Sequence, residues 1–205
     1  MSHPHHSHGD PSEPGEASGA AGQPPLAADA SVRTARHTDA AAMGMVQDAV
    51  FREAYAGVLP AQAIEQFEPR QFATAWRHAL TDPPSTRHRV LVACAGEQVV
   101  GFAALGPAAD TDAGLPERTG EVYVMGVHPE ARRAGHGSRL LNASVDTLRA
   151  CDHQALVAWT LAHDEDVRSF CSAGGLEPDG AWRERVVDVD GRVAREVRLL
   201  AHLGE

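Results

Sequence analysis

Along this chain the spacing of apolar positions switches between helical and strand-like periods, and the switches mark out its elements. Met43, Val46 and Val50 fall at i, i+3 and i+7, which predicts a helix from Thr38-Asp39 to about Tyr55 with Asp39 as its cap. Phe72, Trp76 and Leu80 repeat every fourth residue, predicting a second helix that Pro83-Pro84 stops. Both apolar faces read as core. The pattern then becomes strand-like: Arg89–Ala95 and Gln98–Leu105, rich in β-branched residues, flank Gly96-Glu97 and predict a hairpin. A loop rich in Asp, Gly and Pro leads to a third strand, Glu121–Val127. After a glycine-containing turn comes a helix in which Leu141, Val145 and Leu148 share a face. Ala155–Leu161 reads as a buried strand and Asp164–Ala173 as a short helix ended by Gly174-Gly175. Trp182–Val189 and Arg192–Leu200 read as a closing hairpin on a type I′ turn at Asp190-Gly191. With a short strand near Ser31–Arg36 at the start, the order is α+β with a mixed sheet and no internal repeat.

Composition narrows the chemistry. All 18 basic residues are arginine. A P-loop needs a lysine for its phosphates and a pyridoxal phosphate enzyme needs one for its Schiff base, so both classes drop out. The net charge of −10 gives no electrostatic footprint for nucleic acid. No apolar run approaches the roughly 20 residues of a membrane span, so a soluble protein is expected. Cys94, Cys151 and Cys171 are odd in number and widely spaced, which suits reduced thiols in the cytoplasm better than a disulfide framework. Residues 1–30 are rich in Pro, Gly, Ser and Ala and short of large apolar groups, which predicts a disordered tail. The tail carries His3, His5, His6 and His8, but no cysteine or carboxylate at zinc-site spacing, and no metal site is assigned to it.

The candidate chemistry lies in Arg132-Arg133-Ala134-Gly135-His136-Gly137-Ser138. A strand precedes it and a helix follows, so unpaired amides and the helix dipole would gather at its end as an anion site. Glycine at 135 and 137 would let backbone approach phosphate oxygens, and the arginines could add charge-assisted hydrogen bonds. The G-x-G-x-x-G of a dinucleotide fold is not met, since Leu140 holds its third glycine position.

The stretch GEVYVMGVHPEARRAGHGSRLL, Gly120–Leu141, closely resembles the central motif of the GNAT N-acetyltransferase superfamily: a strand ending in V-x-P, then R/Q-x-x-G-x-G/A. Val127 and Pro129 match the strand end, and Arg132, Gly135 and Gly137 the loop. Asp164–Leu176 resembles the family's N-x-x-A-x-x-F-Y-x-x-x-G-F segment, and element order agrees from about Val32 to Leu200. The resemblance implies a GNAT-like domain over residues 31–205. Its sheet would be mixed and mostly antiparallel, flanked by helices, with a splayed strand pair that binds CoA. It further implies that acetyl-CoA is the co-substrate, that the backbone of Met125, Gly126 and Val127 pairs with the pantetheine arm, and that Arg132, Arg133, Ala134, Gly135, His136, Gly137 and Ser138 surround the pyrophosphate. Gly126 suits a bulge that opens the strand gap.

An acceptor ammonium, with a pKa of about 8 to 10.4, must lose a proton before it attacks the thioester. The family often uses a carboxylate on this strand, and Glu121 corresponds; alternation places Glu121, Tyr123, Met125 and Val127 on one face. An exposed strand start is the other reading of Glu121. Where the family has a tyrosine that protonates the leaving thiolate, this chain has Cys171, whose thiol is either the acid or a small buried apolar residue. Tyr123, water or direct release of the thiolate are the substitutes. Asp164 stands for the usual Asn beside the cofactor arm. His128 and His136 read as solvated or phosphate-adjacent. The implied activity is acetyl transfer to a primary amine of a small molecule or peptide. A non-catalytic acyl-CoA-binding regulatory module is the alternative, and homodimerisation is left open. Glu53, Glu65 and Glu68 read either as attractors for a cationic amine or as solvated faces.

Overall fold

A computed structural model of the chain describes residues 30–109 and 114–204. All of the His-rich tail but Ala30 lies outside the described residues. Strand β1 (Ala30–Thr34) leads through a 3-10 turn into helix α1 (Ala40–Ala54), followed by α2 (Ala61–Glu65) and α3 (Pro69–Thr81). The hairpin β2 (Arg89–Ala95) and β3 (Gln98–Pro107) precedes β4 (Thr119–Val127), α4 (His136–Ala150), β5 (Ala155–Leu161), α5 (Glu165–Ala173), β6 (Glu177–Val186) and β7 (Val193–His202). The strands form one sheet in the order β1-β2-β3-β4-β5-β7-β6, antiparallel throughout except for the parallel β4–β5 pair. The mixed, mostly antiparallel sheet flanked by helices is as expected.

The core has two halves, one on each face of the sheet. On one, Leu140, Leu141 and Leu148 of α4 pack with Val122, Leu156, Leu176 and Leu199. On the other, Met43 and Val46 of α1 and Trp76 of α3 pack on Val92 and Phe102. Met43, Val46 and Val50, with Trp76 and Leu80, are thus the sequence-read positions that join the sheet-facing core, whereas Phe72 packs edge-on against Phe51 and Phe67.

Three local expectations change. Asp39 occupies the capping position of α1, yet its carboxylate accepts from the Arg33 guanidinium (2.6 and 2.9 Å) and the Arg36 amide (2.6 Å) instead of from helix amides. The short α2 was not expected, because five residues are too few to display a period. The last hairpin is closed by the Val187 amide donating to the Arg192 carbonyl, not by a two-residue type I′ turn. Only Gly191 of the Asp190-Gly191 pair has positive φ, and Asp188 organises the loop by accepting from the Asp190 and Arg192 amides.

Candidate active site

The site begins where two parallel strands part. Strand β4 pairs with β5 only from Thr119 with Ala155 to Val122 with Ala158. Beyond that point β4 stays paired to β3 as far as Val127, while β5 stays paired to β7 as far as Leu161. Residues Tyr123–Val127 thus present one unpaired edge toward the gap, where an extended amide-bearing chain can add as a strand. This is the splayed pair, and the Met125–Val127 backbone lies along its open edge.

The bulge that accompanies the splay is not at Gly126. Leu105 pairs with Val122 and Ala104 with Val124, so the extra residue is Tyr123, while Gly126 pairs regularly with Phe102. Gly126 serves close approach: a Cβ there would sit 3.2 Å from both Val50 methyls and 3.3 Å from the Phe102 ring, so Val50 of α1 would have to give by a few tenths of an ångström. The bulge also overturns the single-face placement of β4. Val122, Met125 and Val127 face α4, whereas Glu121, Val124 and Gly126 face α1. A simple period of two cannot anticipate this, because a bulge is a property of two strands together.

Glu121 is therefore a buried carboxylate, 7% exposed, and not an exposed strand start. Its Oε2 accepts from the Ala109 amide at 3.3 Å. Beside it, the Tyr123 hydroxyl donates to the Pro107 carbonyl at 2.5 Å and lies 3.3 Å from His88 Nε2, with the two rings stacked. Burial, reinforced by the Glu121 carboxylate, pushes the Tyr123 phenol up to about 12, so it stays protonated.

On the α4 side, the strand ends in His128, whose Nδ1 accepts from the Glu130 amide, and a 3-10 turn at Pro129–Ala131. Arg133 (φ +64°) and Gly135 (φ +81°) both adopt the left-handed conformation. Left-handed residues placed like this ahead of a helix are the kind of backbone turn that can gather successive amides into a concavity suited to an anion. Arg133, Ala134, Gly135 and Ser138 are exposed there. A left-handed arginine costs about 1–2 kcal/mol and is the kind of strain that functional loops store. Arg132 does not join them. Its guanidinium grips Glu53 of α1 with Nη1–Oε1 and Nη2–Oε2 at 2.8 Å each, an exposed ion pair that gives the solvated Glu53 a partner and links the loop to α1. Arg139 ties the loop from below by donating to the Ala134 carbonyl at 3.0 Å.

His136 is not solvated either. It is 4% exposed, and burial, with the charge of Arg139, lowers its pKa, so the ring is neutral. Gly137 faces Phe170 of α5: a Cβ there would stand 3.4 Å from the ring, an ordinary contact. Asp164 caps α5, accepting from the Val167 amide at 3.0 Å. Cys171, 5% exposed, lies in the α4-side core with Leu141 and Leu176, where burial and then the Asp164 charge push its thiol up to about 11.

Sequence reasoning passed over a cluster on the α1 face beyond Glu121. There Trp159 of β5 has the Arg183 guanidinium 4.1 Å and the Arg198 guanidinium 5.6 Å from its ring centroid. The signal was present in the alternation Arg183-x-Arg185 and Glu196-x-Arg198, which puts four charged side chains on one face of the last hairpin. Among the described residues no helix is long and apolar enough to cross a membrane.

The comparisons with known proteins agree with this geometry. The structure resembles PaiA N-acetyltransferase from Thermoplasma acidophilum, solved in complex with coenzyme A (TM-score 0.64, 14% identity, covering 85% of this chain and 99% of that one). It also resembles an N-acetyltransferase from Staphylococcus aureus (TM-score 0.62, 19% identity, 85% and 99% covered) and a ribosomal-protein-alanine N-acetyltransferase from Brucella melitensis (TM-score 0.59, 22% identity, 83% and 98% covered). At these identities the likeness is one of fold. No curated protein matches the chain by sequence. The sequence model of the acetyltransferase (GNAT) family matches residues 51–174, more than half of the chain and the whole stretch from the end of α1 through the splayed strands and the amide-lined loop to α5. On that match, the chain belongs to the GNAT acetyltransferase family, whose enzymes use acetyl-CoA as co-substrate.

Proposed function

We propose that the chain transfers an acetyl group from acetyl-CoA to a primary amine of a small molecule or peptide. The observation that carries this is the position of Glu121, buried on the α1 face beside the last β4–β5 pair, with the pyrophosphate-type loop at the far end of the same strand on the other side. Acetyl-CoA would supply an activated thioester. The open β4 edge at Met125, Gly126 and Val127 would hold its pantetheine amides, and the amides of Arg133–Ser138 its pyrophosphate, with Arg133 as the exposed cation and Asp164 beside the arm. Arg132 supports the loop from the α1 side and the buried His136 supports it from within.

Glu121 would accept the acceptor's proton, directly or through one water, as the nitrogen attacks the acetyl carbonyl. The carbon–sulfur bond then breaks, and the thiolate takes a proton from Tyr123 or water. The Tyr123 phenol is 37% exposed whereas the Cys171 thiol is 5% exposed in the core, so the phenol is the more accessible donor. Cys171→Ala should therefore leave kcat within about twofold while costing on the order of 1 kcal/mol of stability. A tenfold fall in kcat at unchanged melting temperature would make the thiol the acid. The three thiols are free, which fits a reducing cytoplasm.

The activity itself is tested by incubating the chain with acetyl-CoA and a mixture of metabolites and peptides, then reading products by mass spectrometry. Acetylated amines appearing with stoichiometric CoA release are expected. Tight acetyl-CoA binding with no product from any amine would overturn the enzymatic reading.

A further inference from the structure

The acceptor side of the cleft has its own charge pattern. Glu121 pairs in register with Val157, and Trp159 is two residues further along the same strand, so Glu121 and Trp159 share a face across the start of the splay. Arg198 is paired with Trp159, and Arg183 with Glu196, which carries this face outward through β7 to β6. Tyr55, just past the end of α1, lies close enough to Arg185 and Glu196 to feel both charges.

Within it, Glu196 is 5% exposed and binds Arg183 Nε at 2.6 Å, with Arg185 Nη1 at 3.6 Å. Asp179 binds Arg198 Nε at 2.7 Å. Arg183 is the accessible member held in a set orientation. Its plane rests on Trp159, its Nε is engaged by a buried carboxylate, its side chain is 37% exposed, and its Nη1 and Nη2 meet no acceptor among the described residues. A guanidinium fixed in this way presents a planar fork, the geometry that accepts both oxygens of a carboxylate.

Resting on the acetyltransferase reading above, we propose that the acceptor is an amine that also bears a carboxylate, an amino-acid-type substrate. Arg183 takes the carboxylate while Glu121 receives the amine. Arg183 stands on β6, three strand spacings or roughly 14 Å at the backbone from β4, but its guanidinium reaches back to 4.1 Å from the Trp159 ring, and Trp159 lies only one spacing and two residues from Glu121. The remaining gap suits a short zwitterion. An alkyl amine would leave the fork unpaired, and a polyamine would in addition bring a second cation toward it.

The test sets a panel of amino acids against the amines that lack only the carboxylate and against the corresponding amides, using the full chain and acetyl-CoA. The amino acids should show kcat/KM at least about tenfold above both analogues, carried mainly by KM. Arg183→Gln should raise KM for amino acids about tenfold and leave KM for the decarboxylated amines unchanged. Arg183→Lys keeps the charge opposite Glu196 and removes the fork, so it should show the same KM split if Arg183→Gln does not fold. Transfer to amines with no preference for the carboxylate, or equal KM changes for both substrate types, would overturn this inference alone. No transfer to any amine would overturn the acetyltransferase reading and this inference with it.

Discussion

Gly135→Val should weaken acetyl-CoA binding at least about hundredfold, on the order of 3 kcal/mol, while the chain remains folded. Gly135 stands at φ +81° as the residue before α4, a conformation in which valine is strained by its own branched side chain. The side-chain clash is the smaller effect. A Cβ at this position comes within 2.6 Å of Arg139 Nη1, but that atom is the far end of a flexible chain and can swing away. What cannot be kept is the backbone. Returning residue 135 to negative φ rotates the flanking peptides and re-aims their amides. The matched control is Gly191→Val, at φ +79° in the β6–β7 loop, where a Cβ meets nothing within 4 Å. It carries the same strain far from the loop, so it should cost similar stability and no affinity. Calorimetric titration with acetyl-CoA decides: equal affinities for the Gly135 variant and the parent would sink the pyrophosphate assignment. Gly137→Ala should be milder than either, since its added methyl meets Phe170 at an ordinary contact distance.

That asymmetry between two glycines shows where sequence reasoning stops. Both fit the motif, but only Gly135 has a backbone that demands glycine. Local features came through well: Arg89–Ala95 and Ala155–Leu161 begin and end as strands where their β-branched runs and flanking turn residues place them. Helix α4 was legible too, though one turn was overlooked. His136, Leu140, Ser144 and Leu148 repeat every fourth residue and are all buried, so extending the apolar face back from Leu140 would have placed the imidazole inside.

The losses are pairings between distant segments. Arg132 and Glu53 lie 79 positions apart, and nothing near either residue signals that each is the other's partner. The bulge at Tyr123 depends on the register between β3 and β4, and with it goes the face on which every residue of β4 before it stands. Cys171 was ambiguous for a different reason. Its helix position says that it points inward, and only the packed structure shows it among Leu141 and Leu176.

The bulge also determines what Glu121 can do, and so what its removal should cost. Because Tyr123 is the extra residue, Glu121 faces α1 and the acceptor cleft, away from the loop that would hold the cofactor's phosphates. Glu121→Gln keeps the shape and retains an oxygen for the Ala109 amide, but an amide cannot take up a proton at neutral pH. General base assistance is typically about 10²- to 10⁴-fold, so kcat at pH 7 should fall about a hundredfold or more. Acetyl-CoA affinity should stay within about twofold, which separates this variant from Gly135→Val. The pH profile gives a sharper reading than the rate alone. Without a protein base, turnover depends on the fraction of acceptor already deprotonated, so log kcat/KM for the variant should climb with a slope of one up to the acceptor's own pKa, about 8 to 10 for an amine. The parent should reach its plateau at lower pH, and the two profiles should converge in alkaline solution. A Glu121→Gln variant that keeps kcat within threefold of the parent, with a superimposable pH profile, would show that acceptor deprotonation is left to solvent and that the buried carboxylate serves the fold.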